Sequence, residues 1–375
     1  MLIPNSIVRF LTAATICFIA VSCQKDEESI IPESKSTLNE GKSASTLVET
    51  EIATTFKNLF NRFGDGWTGG DGAYSIPLPD GRLLWTFGDS FLGTVNPDYT
   101  RTGPLVNNVF VIQDSDELTT LAGGTEENPE AYVTPWNNSN HYYWPGDGVV
   151  IGNKLYMFML RIRATGQGGV FGFEHIGSDM AVFSLPDLQL IDQYKVNRST
   201  EVMMGVSIFR ENEFVYVYGT RSTLGKNALV ARYQVGNPTE LEYWNGTGWG
   251  GQFDNNAYMQ LANGQNLGVS NQFKVFKWNG SYRLLVQDDF FGAAIKVYRS
   301  DSPVGPWSNP ITIYETPETG ADGGNIFTYN AFAHPHVIDP NKGMLVTYSV
   351  NSFDFFSLFQ DARLYRPRFF WVKPS

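Results

Sequence analysis

Cysteine is nearly absent from this chain of 375 residues: Cys17 and Cys23 are the only two, and both lie near the N-terminus. Everything beyond residue 23 therefore lacks a disulfide and a cysteine metal site, and an exported domain built from it must rely on its apolar core. Histidine is scarce too, with four residues. "HPH" at His334 and His336 is only a loose likeness of a metal pair, and no third histidine lies near it in sequence. Positive charge is in deficit: 27 Lys and Arg against 38 Asp and Glu give a net charge of −11. Such a surface repels phosphate backbones, which argues against nucleic acid and leaves a neutral polyhydroxylated ligand compatible. No long stretch carries the 3.6-residue apolar period of a helix. Neither a G-x-S-x-G elbow nor a P-loop occurs, so those nucleophile and nucleotide chemistries are set aside.

What is abundant is turn and strand material. Hydrophobic residues make up 42% and aromatics 14%, with 37 Gly, 27 Phe and 18 Tyr. That composition fits a sizeable core of short strands joined by many turns.

The N-terminus reads as an address. Arg9 precedes "FLTAATICFIAVSC", an apolar run too short to span a bilayer as a helix. "AVSC", ending at Cys23, resembles a bacterial lipobox with Ala20 where Leu is commoner. The expectation is a signal peptide over residues 1–22 and lipidation at Cys23, which tethers a domain to a membrane without a spanning helix. Ordinary signal-peptidase cleavage is the alternative. Residues 23–50 contain no aromatic and are rich in Glu, Ser and Lys, the composition of a disordered tether. Its acidic start resembles the sorting signal of surface-exposed lipoproteins, so an outer-membrane lipoprotein, surface-exposed or periplasmic, is expected. One domain follows, over residues 51–375.

That domain carries a repeated hairpin. "GDGAYSIPLPDGRLLWTFGDS" is echoed by "GDGVVIGNKLYMFMLRI", "GVSIFRENEFVYVYGTRS", "NQFKVFKWNGSYRLLVQDD" and "HPHVIDPNKGMLVTYSVNS". The anchors Asp71, Asp147, Gly205, Asn271 and His334 are 58–76 residues apart, and each hairpin is followed by further strand-like runs. Five units of about four strands predict an all-β fold, a five-bladed β-propeller with four-stranded blades. A jelly roll would not generate five similar hairpins.

In the first hairpin, Pro79-Asp80-Gly81 suits a three-residue loop with Gly in the left-handed position. Residues whose numbers sum to 160 then face each other, Asp71 and Asp89 among them. Opposed β-carbons lie about 4.5–5.5 Å apart, and like charges there are destabilising. Such a pair is tolerated where it does something, for example by raising one acid's pKa. A turn-forming role for each Asp is the plainer alternative. In a propeller the front ends of the inner strands gather at one mouth, which would bring Asp71, Asp147, Asn271, His334 and His336 together. "WNNSNHYYWPGDG" leads into Asp147 with Trp136, His141, Tyr142, Tyr143 and Trp144, a candidate platform for the apolar faces of sugar rings, or else packing between blades. Glu174 and Arg221 are further candidates, with a salt-bridging role equally open for Glu174.

"GWTGGDGAYSIPLPDGRLLWTFGDSFLG", "WPGDGVVIGNKLYMF", "SDSPVGPW", "HPHV" and "YRPRFFWV" resemble the five-bladed propeller proteins classed as domains of unknown function 4185 and 5005, over roughly residues 60–372. Some relatives of that kind are endo-D-arabinanases of glycoside hydrolase family 183. The resemblance implies catalysis by first-blade acids, hence by Asp71 and Asp89 and less directly by Asp147. No Ser-x-Asp-x-Gly-x-Thr-Trp box is present, which disfavours a sialidase. The expectation is thus a glycoside hydrolase acting on a polysaccharide or oligosaccharide without a cofactor, a calcium or sodium ion in the channel being left open. Trp144, Tyr143, His141, Glu174, Arg221, Asn271, His334 and His336 would bind substrate. A non-catalytic glycan-binding lipoprotein of an uptake system is the alternative. A working pair of Asp71 and Asp89 would favour retention of configuration; Asp147 as second partner would favour inversion.

Overall fold

The computed structural model describes residues 48–64, 66–167, 171–222, 226–254, 257–289 and 291–373. The signal peptide and lipidation site expected over residues 1–23 lie outside them, as does the tether up to residue 47.

Five antiparallel sheets carry the fold. In each, the innermost strand is hydrogen-bonded to the strand that follows it in the chain. The inner strands are Tyr74–Pro77, His141–Ile151, Val202–Glu211, Lys274–Trp278 and Ile326–Asp339. Each inner strand touches the inner strand of the next sheet, and the fifth touches the first, so the contacts close on themselves. Each expected hairpin is present. In the first, Tyr74 faces Thr86 and Ile76 faces Leu84, and Gly81 closes the loop at φ +91°.

One expectation about strand number and one about where the sheets draw their strands need correction. The third sheet has five strands, not four, because Glu242–Trp244 and Trp249–Gly250 form an added ribbon. The fifth sheet takes its outermost strand from the other end of the chain: Glu49–Ile52 pairs with Arg368–Lys373. This strand takes in Glu49 and Thr50, which were expected to lie in the tether. An exposed edge strand needs backbone pairing more than apolar side chains, so "ETEI" carries no aromatic residue.

The second strand of each sheet is mostly buried because the neighbouring sheets cover it on both faces, while the outermost strands are largely exposed. Five separate apolar clusters fill the gaps between neighbouring sheets. Trp85, Phe87, Leu345 and Phe369 lie between the first and fifth; Leu84, Phe110, Leu155 and Met157 lie between the first and second. The helix Thr54–Phe60 caps the first of these gaps, with Phe60 against Trp67, Trp85 and Phe369 at ring-centroid distances of 5.0–5.6 Å. Among the described residues no helix is long and apolar enough to cross a membrane.

Three inner strands are bulged, at Pro145/Gly148, Met204/Ser207 and Tyr329/Phe332. A bulge re-aims the side chains beside it. Gly205 makes the second of these possible. Its φ is +89°, and an added β-carbon would fall 2.2 Å from the Phe158 ring. The other two bulges hold Asp147 and adjoin Tyr329.

Candidate functional site

Asp71 and Asp89 flank the first hairpin on the side where the inner strand begins. Asp71 N–H donates to the Asp89 carbonyl at 3.3 Å, and Gly88 N–H donates to the Asp71 carbonyl at 2.8 Å. The next pair outward is Gly70 with Ser90, so the register that opposes the two acids runs through them. Each carboxyl has its own set of donors. Tyr329 Oη (2.6 Å) and Tyr365 Oη (3.1 Å) both donate to Asp71 Oδ2. Trp144 Nε1 (2.7 Å) and Asn107 Nδ2 (3.2 Å) both donate to Asp89 Oδ1.

Both acids are half-buried. Burial, reinforced by the neighbouring Asp89 charge, pushes Asp71 up to about 7 against the pull of its two tyrosine donors. Burial pushes Asp89 up to about 6, with Trp144 and Asn107 holding it back. Two neighbouring carboxyls, both pushed above the ordinary carboxylate range, form a pair suited to acid–base work near neutral pH. Asp71 Oδ1 has no side-chain donor among the described hydrogen bonds and faces Gly88, where an added β-carbon would come within 2.6 Å. Glycine at 88 therefore carries no side chain to clash with that oxygen.

The aromatic stretch behind Trp144 is divided by strand alternation. His141–Ile151 is a strand from its first residue rather than a loop, so even and odd positions face opposite ways. Tyr142 and Trp144 share the acid side: their rings are 6.0 Å apart, and the Asp89 charge, after burial, helps raise the Tyr142 phenol to about 12. Tyr143 is a correction. It is fully buried, with its hydroxyl donating to Asp179 at 2.6 Å, so it belongs to the core. His141 lies on that same odd side, where Arg161 Nε donates to its Nδ1 at 2.9 Å, and burial and Arg161 lower its pKa. Glu174 is held by Arg163 at 2.7 Å in an exposed ion pair, and it does not join the acids. Arg221 is largely buried, paired with Glu201 at 3.0 Å and stacked over Phe253. Asn271 is exposed, three residues before Lys274.

Asp147 and the two histidines sit further along the axis than the sequence repeat suggested. Asp147 is fully buried. Its Oδ2 pairs with the Lys274 ammonium and accepts from Ile208 N–H at 2.6 Å, and Oδ1 accepts from Gly148 N–H at 3.0 Å. With both oxygens occupied it does not fit a proton donor, and the acid ring expected at the mouth has two members. His334 and His336 bracket Ser75 Oγ, at 2.5 Å from His334 Nδ1 and 2.9 Å from His336 Nε2. Thr347 Oγ1 holds His334 Nε2 at 2.9 Å. Burial, His336 and Lys274 push the His334 imidazolium down. His336 is open to solvent at one edge, and the protein around it and Lys274 lower it too. The cause of the displacement is strand length: the fifth inner strand begins at Ile326, eight residues before His334. Tyr329, which the repeat missed, occupies the mouth position there.

Among the described residues no cluster of three or more His, Cys, Asp or Glu could hold a metal ion. An apolar cavity of about 250 Å³ lies between the fourth and fifth sheets, lined by Phe276, Trp278, Leu285 and Met344. It has no carboxylate on its wall and is separate from the acid pair.

Fold and site together define an all-β protein with two unequal carboxyls opposed across a hairpin at one end of its inner strands. The chain belongs to the family described as "Domain of unknown function (DUF5005)", which it matches over residues 53–374. No curated protein matches it. In fold it is similar to a provisionally assigned hydrolase from Bacteroides ovatus, with a TM-score of 0.74, 22% identity, and 87% of this chain and 90% of that chain covered. A GH43 enzyme from Xanthomonas citri, solved with xylotriose, gives a TM-score of 0.48 at 13% identity, covering 86% and 93% of the two chains. A GH43 β-xylosidase/α-arabinofuranosidase from a compost microbial metagenome gives 0.48 at 11%, covering 83% and 94%. These last two are too distant to bear on the chemistry here.

Proposed function

We propose that this chain is a glycoside hydrolase on a five-bladed β-propeller, anchored at the cell surface through lipidated Cys23. The cyclic contacts of five inner strands and an apolar cluster in each gap support the propeller reading. The observation that carries the enzymatic reading is the Asp71–Asp89 pair, two neighbouring carboxyls whose surroundings make one the better acid. Asp71 is the proton donor: Tyr329 and Tyr365 occupy Oδ2, which leaves Oδ1 to carry the proton toward the glycosidic oxygen. Asp89, held ionised by Trp144 and Asn107, is the nucleophile or base that works against the developing positive charge at the sugar. Trp144 and Tyr142 supply the aromatic wall on which a sugar's C–H face stacks. The deciding experiment is a glycan-degradation screen with product analysis, run on the wild type and on Asp71→Asn and Asp89→Asn. Cleavage by the wild type and its loss in both variants, with glycan binding kept, supports the reading. Equal turnover in all three removes the pair from catalysis, and binding without turnover in the wild type leaves a glycan-binding protein.

Trp144→Phe gives a finer readout. It keeps an aromatic face but removes the N–H that stabilises the Asp89 carboxylate. A hydrogen bond to a charged group is worth roughly 1.5–3 kcal/mol, and about 1.4 kcal/mol is one pKa unit. The acidic limb of the pH–rate profile should therefore move up by roughly one unit. A profile that keeps its acidic limb in place would remove Trp144 from the control of Asp89.

A further inference from the structure

The cavity between the fourth and fifth sheets has a charged lip. Its fourth-sheet wall consists of two cross-strand rows. Phe276, Arg283 and Arg299 face one another in the first. Leu285, Val297 and Ile311 do so in the second. Met344 and Val372, opposed in the fifth sheet, belong to the other wall. Phe276, Leu285, Met344 and Val372 are buried, whereas Arg283 is half-buried, Arg299 is exposed and Ile311 is 50% exposed. The space of about 250 Å³ therefore runs from an apolar floor to an open edge that carries two guanidinium groups. It lies at the end of the sheets where the inner strands finish, away from Asp71 and Asp89.

Arg283 and Arg299 are like charges directly opposed across a ladder, an arrangement that costs stability. Arg283 Nη1 donates to Ser281 Oγ and, at 3.3 Å, to the Tyr282 carbonyl. Among the described residues no carboxylate forms an ion pair with Arg283, and Arg299 has Asp301 at 3.8 Å, with both side chains exposed. Burial and Arg299 lower the Arg283 pKa, and Asp301 works against them. In a chain with 38 acids and 27 bases, two facing arginines without a close carboxylate mark a place for an anion from outside. The wall selects the rest of that ligand. Its one hydroxyl, Ser308 Oγ, accepts from Arg299 N–H at 3.0 Å and donates to the Asn309 carbonyl at 2.8 Å. With that group occupied, the interior offers C–H surface rather than partners for a sugar's hydroxyls.

We propose that this cleft binds a single-chain amphiphilic anion, a medium-chain carboxylate, with its alkyl tail between the two sheets and its head on Arg283 and Arg299. The head makes charge-assisted hydrogen bonds to both guanidinium groups and offsets their repulsion. A volume just under the roughly 300–1,000 Å³ of small-molecule pockets suits one alkyl chain and not the two of a membrane phospholipid. The site is independent of the acid pair and of the hydrolase reading.

Calorimetric titration of the full chain with decanoate, kept below its micelle threshold, tests this. One-to-one binding is expected, and affinity should rise roughly tenfold for every two methylene groups from hexanoate to decanoate. Decanol has the same tail without the charge and should bind at least about tenfold more weakly. Arg283→Gln and Arg299→Gln should each weaken decanoate by about tenfold. Both keep the apolar walls and remove a like-charge contact, so both should fold. Ile311→Glu puts a carboxylate on the lip at a half-exposed position and should abolish binding. Failure of decanoate to bind, equal affinity for decanol, or an isotherm unchanged in all three variants would overturn the proposal. Binding of phosphatidylglycerol vesicles without binding of monomeric decanoate would overturn it as well. So would dimerisation through this face that decanoate does not reverse, because a second copy would then be the occupant.

Discussion

Asp71→Asn is expected to lose hydrolysis by about 10²–10⁴-fold, the usual contribution of a positioned acid or base, and to be more stable than the wild type above pH 7. Asp89→Asn should behave alike. The two halves have one cause. A carboxyl raised to about 7 in the folded protein, against an ordinary value near 4, binds its proton more tightly folded than unfolded. Stability therefore falls as pH rises from about 4 to about 7, and the full cost persists above that. Asparagine cannot ionise, and its amide oxygen can still accept from Tyr329. The gap between variant and wild type should vanish below about pH 4 and reach on the order of a few kcal/mol above pH 7, since each pKa unit is about 1.4 kcal/mol. Paired melts at pH 4 and pH 8 measure it. A variant as active as the wild type, or less stable at pH 8, would contradict the assignment.

The same inequality shapes the activity profile. Asp89 must be ionised and Asp71 protonated, so activity should rise through about pH 6 and decline through about pH 7. The two limbs belong to the pair, because each charge shifts the other. The expected result is a narrow bell centred between those values. A plateau extending to pH 9 would mean that Asp71 does not deliver the proton.

The opposition of Asp71 and Asp89 was legible in the sequence because a hairpin is local: one loop geometry fixes every facing pair. Five hairpins were legible for the same reason, each marked by apolar runs and a turn. What failed was anything needing the axial register of one sheet against another. Asp147, His334 and Asp71 each stand at the head of a similar motif, yet the second and fifth inner strands start six and eight residues earlier than those anchors. The repeat recorded where the turns lie, not where the strands begin. Tyr329 and Tyr365 were missed because they reach Asp71 from about 260 and 290 residues away. Tyr365 opens the motif "YRPRFFWV", whereas Tyr329 sits in an apolar run with no signal of its own. The split between Trp144 and Tyr143 was recoverable in principle. Reading "HYYW" as strand rather than loop would have put alternate residues on opposite faces.

The largest stability effect is expected from Asp147, which stands at a predicted catalytic position but serves as a staple. Asp147 joins three inner strands: its own, the third through Ile208 N–H, and the fourth through Lys274. Lys274→Met leaves a buried carboxylate with only backbone donors, and Asp147→Asn leaves a buried ammonium with a neutral partner. Each should cost about 3–5 kcal/mol, the usual penalty for stranding one member of a buried pair. The double variant removes both charges while the amide oxygen can still accept from Ile208, so it should recover most of that loss; denaturant midpoints for the four proteins form the cycle. Lys274 also bears on the neighbouring imidazoles, because its charge helps hold His334 and His336 neutral. Lys274→Met should raise both histidine pKa values, a shift readable by NMR. The cycle further separates structure from chemistry. As a staple, Asp147→Asn lowers the melting point and leaves turnover per folded molecule within a few-fold; as a proton donor it would lower turnover by about 10² or more at unchanged fold. The occupied oxygens favour the staple, because the Lys274 ammonium and the Ile208 and Gly148 N–H groups leave neither oxygen free to reach a leaving group.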